Sequence, residues 1–111
     1  MAYDEQLARR VRELMAPRSG VVEKKMFGGL AWMVDGNMAV GASSRGALIV
    51  RMVPEDVAAA LREPHVQPFG HEGKKPMSGF VVVDAAALEE DAELERWVDV
   101  GANRAASLPP K

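Results

Sequence analysis

The chain has 111 residues, 48% of them apolar and 27% charged, and no cysteine. That is enough for one domain with its own core, 1–111, and it excludes disulfides, thiolate metal sites and a cysteine nucleophile. With 14 basic residues against 16 acidic ones the net charge is −2, so no bulk positive field draws the chain toward nucleic acid.

"MAYDEQLARRVRELM" is interrupted by charges where a signal peptide needs an unbroken apolar stretch. No apolar run approaches the roughly 20 residues needed to span a bilayer. The expectation is a cytoplasmic protein without membrane contact, in keeping with the absence of cysteine. Leu7, Val11, Leu14 and Met15 recur at helical spacing, with Asp4 and Glu5 in the first turn and Pro17 as the stop. "VVEKKMF" then alternates in strand fashion from Val21. Beyond Gly28-Gly29, Leu30, Trp32 and Val34 share one face of a strand, and Ala31 and Met33 the other. The glycine pair invites comparison with a phosphate-binding loop, but such loops lead into a helix N-terminus and here a strand follows. A bend or bulge in one long strand is the expectation.

Asp35-Gly36-Asn37 is a tight-turn signal, and Ser44-Arg45-Gly46 a second one. Between and after them "MAVGAS" and "ALIVRM" read as strands. Pro54 opens a helix through "PEDVAAALRE", with Glu55 and Asp56 at the positive end of its dipole. "VQPFGHEGKKPMSGFVVV" reads as two strands joined by a loop. From about Leu88 to Leu108, Leu94, Trp97, Val98, Ala102 and Ala105 mark a long helix stopped by Pro109-Pro110. The order is that of an antiparallel sheet with helices packed on it.

Three stretches, "KKMFGGLAWMVDGNMAV", "PFGHEGKKPMSGFVVVD" and "LERWVDVGANRAASLPPK", together resemble the N-terminal domain family of the TfoX/Sxy competence regulators. The resemblance implies an α+β, two-layer α/β sandwich of pattern α-β(3)-α-β(2)-α with an antiparallel sheet. It also implies a role in regulating competence genes beside a transcription activator. Founding members carry a second domain, and the sequence ends at "SLPPK", so a single-domain form is expected. The family supplies no catalytic residues.

His65 and His71 stand near Glu63 and Glu72, but nothing makes them converge as metal ligands or pairs either with a nucleophile. Turn histidines are the expectation, with no cofactor, metal or catalytic residue. Asp84, Glu89, Glu90, Asp91, Glu93 and Glu95 are explained by the start of the last helix. Lys24, Lys25, Arg45, Lys74 and Lys75 are the residues from which a basic patch could be built, and scattered solvated side chains are favoured over it.

If helices cover the face bearing Leu30, Trp32, Val34, Leu48, Val50 and Met52, the other face carries Ala31, Met33, Ala39, Gly41, Ala47, Ile49 and Arg51. That second face is small and apolar. Ala31, Met33, Ala39, Ile49 and Arg51 are therefore the candidate interface, for a protein partner or a homodimer, unless curvature or a third helix covers them. The leading functional reading is a non-enzymatic regulatory interaction module. The alternatives are direct nucleic-acid binding through loop-tip Lys and Arg, and a small-ligand binder or enzyme with a pocket near Trp32 and Trp97.

Overall fold

The computed structural model describes residues 4–26, 28–70 and 79–111. Helix α1 (Glu5–Met15) is capped by Asp4, whose carboxylate accepts from the Leu7 amide at 3.0 Å, and it buries Leu7, Ala8, Val11 and Met15. Strands β1 (Val21–Met26) and β2 (Gly29–Val34) follow as an antiparallel pair in which Met26 faces Gly29. The chain thus reverses at the glycine pair instead of bending. Gly28, at φ +73°, supplies the left-handed residue that a tight reversal requires. The expected long strand becomes a hairpin, so four strands, not three, precede the second helix.

Asp35 and Gly36, at φ 51° and 86°, turn β2 into β3 (Asn37–Ala42), as the sequence predicts. β4 (Leu48–Arg51) returns beside β3. A 3-10 turn, Pro54–Asp56, then runs into a single helical turn, α2 (Val57–Ala60). α2 is shorter than predicted. Arg62 and Glu63 bond back to Ala59 and Ala60 in a tightened i→i+3 pattern, and Pro64 disfavours helical geometry at the residue before it. β5 (Val66–Pro68) and β6 (Phe80–Val83) form a further antiparallel pair; most of the loop between them lies outside the described residues. A 3-10 turn over Ala85–Leu88 delays α3 to Asp91–Ser107.

The six strands lie in the order β1-β2-β3-β4-β6-β5, every neighbouring pair antiparallel. Helices α1 and α3 pack on one face, the two-layer α+β architecture expected from the sequence. Their core holds Trp32 and Trp97, 1% and 2% exposed, with Val11, Met15, Leu48, Val50, Val81, Leu94 and Val98. Both edges of the sheet are guarded: β1 by exposed Glu23, Lys24 and Lys25, and β5 by its shortness and Pro68.

One irregularity decides which side chains face which way. Trp32 pairs with Val40 but Met33 pairs with Met38, so β3 carries an extra residue at Ala39. The bulge turns Ala39 into the helix-side core, where it is fully buried, while Met38 faces the other way. α3 comes close over it: a Cβ on Gly101 would collide with the Ala39 carbonyl oxygen and lie 2.6 Å from Val40 Cγ1. Only glycine allows that approach. Beyond α3 the tail crosses to the β2–β3 turn, where buried Asn37 donates from Nδ2 to the Pro109 carbonyl at 3.0 Å. The Lys111 amide donates to the Asp35 carbonyl at 2.9 Å.

Candidate interaction surface

The sheet face turned away from the helices is built from two cross-strand rows. Ala31, Gly41, Ile49 and Val82 stand opposite one another in the first. In the second, Val22 pairs with Met33, Met33 with Met38, and Arg51 with Phe80. Ala31, Met38, Ile49 and Phe80 form a small second core, and the half-buried Met26, Met33, Phe69 and Val82 pack around it. Phe69 and Phe80 meet at 5.9 Å between ring centroids, tilted by 54°. Val22, 53% exposed, extends the apolar surface to the β1 edge.

Of the predicted interface residues, Met33 and Arg51 are partly exposed on this face. Ala31 and Ile49 belong to it but form its floor, 1% and 4% exposed, beneath the larger side chains. Ala39 does not belong to it, because the bulge rotates it into the helix layer. Met38 takes its place, a substitution that strict alternation along β3 cannot foresee. Met26, Phe69 and Phe80 were missed for a related reason: they gather on this face only once β1 and β6 are placed in the sheet.

Arg51 defines one end of the face. Its guanidinium lies 5.1 Å from the centroid of the Phe80 ring, and Nη1 reaches the Met38 carbonyl at 3.4 Å. Burial lowers the Arg51 pKa, and the positive charge of Arg104 lowers it further. Arg104 arrives from the last turn of α3, a neighbour that sequence spacing gives no means of finding.

The predicted basic residues do not form one patch with Arg51. Lys24 and Lys25 are exposed on β1, Lys25 opposite Leu30, which in turn pairs with Ala42. Arg45, exposed in the β3–β4 turn, therefore stands at that same end of the sheet, whereas Arg51 ends β4 at the other. Lys74 and Lys75 lie outside the described residues, as does His71. His65 is exposed in the turn before β5 at φ 68°, its carbonyl accepting from the Asp84 amide at 2.8 Å.

The acidic run does the structural work expected of it. Asp91 and Glu93 occupy the first turn of α3. Asp91 holds Arg10 of α1 at 3.1 Å, and Arg96 joins Glu93 and Glu63 at 3.0 and 2.8 Å. The bonds from Arg96 hold the Glu93 carboxyl below the usual range, and the two carboxylates raise Arg96. The same guanidinium sits 4.3 Å from the Trp97 ring centroid. Arg12 grips both Glu23 oxygens, at 2.8 and 2.9 Å, and lowers that carboxyl's pKa.

The clefts are open and shallow. One, about 810 Å³ between α1, the β3–β4 turn and the 3-10 turn before α3, includes Asp4, Arg10, Gly46, Ala85 and Asp91. A smaller one, about 250 Å³, leads past Arg12, Met15 and Glu23 to Trp32. There the buried Nε1 of Trp32 has no hydrogen-bond partner among the described residues, and Trp32 adds a little to the lowering of the Glu23 pKa by Arg12. Trp97 does not line that cleft. Among the described residues no group of three His, Cys, Asp or Glu converges as metal ligands, and no helix is long and apolar enough to cross a membrane.

The fold and its surfaces define a two-layer α+β domain with one helix-covered sheet face and one methionine-rich face. The chain belongs to the TfoX N-terminal domain family, whose model matches residues 13–105, most of its length. No curated protein matches it.

Proposed function

We propose that the protein is a non-enzymatic regulatory module of the cytoplasm that docks another protein on the open face of its sheet. The observation that carries this is the continuous apolar surface of Val22, Met26, Met33, Phe69 and Val82, half-exposed on a domain whose other face is sealed by helices. Exposed apolar surface of this kind marks interaction sites, and flexible, polarisable methionines adapt to a partner's shape. Family membership supports a regulatory, competence-related setting, in which the partner acts on transcription.

The test sets the natural chain against Met33→Lys, which places a charge in the middle of the face. The natural chain is expected to retain a partner from native cell extract, or to sediment as a dimer if the partner is a second copy. Met33→Lys is expected to lose that association while keeping its thermal midpoint. Association unchanged in the variant, or a natural chain that is monomeric and retains nothing above background, overturns the reading.

A further inference from the structure

Four charged residues lie within the described strands: Glu23, Lys24 and Lys25 on β1, and Arg51 on β4. The pairing register sorts them by face. Glu23 and Lys25 stand opposite Trp32 and Leu30 and so share the helix side, where Arg12 holds both Glu23 oxygens at 2.8 and 2.9 Å. Lys24 stands opposite Ala31, and Arg51 opposite Phe80, so both belong to the open face. The strands thus keep their one acid on the helix side and leave two cations on the apolar surface. Asp84, just past β6, continues the open side by alternation, but its carboxylate oxygens accept from Gln67 Nε2 at 3.3 and 3.1 Å. β1 and β4 lie three strand spacings apart, so the two cations stand about 14 Å from each other across the sheet. Ala31, Met33, Met38 and Gly41 occupy the strands between them.

We infer that the open face takes an amphipathic helix of another protein, seated by its apolar stripe on the methionine surface, with Asp or Glu along both flanks of that stripe to meet Lys24 and Arg51. The inference rests on the interaction reading above and names the shape and charge of the partner. The charged edge of β1 and the short, proline-bearing β5 oppose docking by strand addition. A helix about 10 Å across fits between cations about 14 Å apart, and both long side chains can then reach its flanks. Such a helix would do on this face what α1 and α3 do on the other. A second copy of the chain is a poor occupant. In a two-fold interface the patch meets itself, so each copy would offer the other two cations and no strand carboxylate. Arg51 is the more selective cation: the Phe80 ring, 5.1 Å from ring centroid to guanidinium, orients a fork that suits the two oxygens of a carboxylate.

The probes are three synthetic peptides of about 15 residues, the length at which isolated helices begin to form, each with one leucine stripe flanked by glutamate, glutamine or lysine. Binding is read on the methionine methyl signals by NMR. Met26, Met33 and Met38 report on the open face, while Met15 and Met52, in the helix-side core, are internal controls. The glutamate peptide is expected to shift the first three along one saturation curve and leave the controls unmoved. It should bind about tenfold more tightly than the glutamine peptide, and the lysine peptide should bind weakest. Arg51→Gln should weaken the glutamate peptide about fivefold without changing the glutamine one. Lys24→Gln, at an exposed position, should weaken it about twofold at an unchanged thermal midpoint, and it answers the question if Arg51→Gln folds poorly. A glutamine or lysine peptide that binds as well as the glutamate one, or open-face signals that no peptide moves, overturns the inference. The association test at Met33 uses native extract and no peptide, so its failure and this one are told apart.

Discussion

The two faces of one sheet are built from the same strands under opposite rules. On the helix side, Trp32, Val40, Val50 and Val81 meet α1 and α3 in a fully buried layer, and the fit is tight enough that only glycine is accommodated at residue 101. On the open side, the half-buried Met26, Met33 and Phe69 pack against a floor of Ala31, Met38 and Ile49, with Arg51 at the end. Side chains held on all sides specify a single structure, whereas side chains held only from below leave surface for another molecule. Substitutions on the first face should therefore be read in stability and substitutions on the second in association.

Trp97→Ala is the strongest way to test that division. Removing a buried indole should cost about 3–5 kcal/mol, visible in denaturant unfolding. Gly101→Ala should cost about 1–3 kcal/mol, because the added methyl meets backbone at Ala39, which cannot move aside as a side chain would. Asn37→Ala deletes the bond to Pro109 and should cost about 1 kcal/mol, with faster hydrogen exchange at Lys111.

Glu23 gives a smaller, pH-dependent effect. Its pKa is lowered in the folded state by Arg12, so its contribution is present above the unfolded glutamate range and is lost as pH falls below about 4.3. The pair is solvent-exposed, which limits the contribution to about 0.2–1 kcal/mol, and Glu23→Gln should remove that part of the acid sensitivity in unfolding curves at pH 7 and pH 3. Met33→Lys should shift stability least, by about 0.5 kcal/mol or less, while abolishing association. A large loss of stability in that variant would place Met33 in a sealed core and erase the distinction between the faces.

Much of the architecture was legible because its signals are local. Asp35-Gly36 announces a turn through the backbone geometry its residues tolerate, and Leu30, Trp32 and Val34 announce their face through simple alternation. The glycine pair misled because Gly28 serves a hairpin reversal as readily as a bend; which one forms depends on whether β1 finds β2 as its partner. Ala39 misled because a bulge breaks alternation without any residue that betrays it. Arg104 could not be found at all. Its positive charge acts on Arg51, the last residue of β4, from the last turn of a helix some fifty positions further along the chain.

The bulge has a consequence in parity. Before it, an even-numbered residue of β3, Met38, points away from the helices; after it, even-numbered Val40 and Ala42 point toward them. One strand thus changes the meaning of odd and even halfway along, and losing the single residue Ala39 would give it one meaning throughout. The deletion would set Met38 and Val40 next to each other on opposite faces, where each already stands, so both faces would keep their side chains and only Ala39, which lies beneath Gly101, would be lost. Substitution at Ala39 tests the size of a side chain in the helix-side core, whereas deletion there tests whether the close approach of α3 needs the extra residue at all.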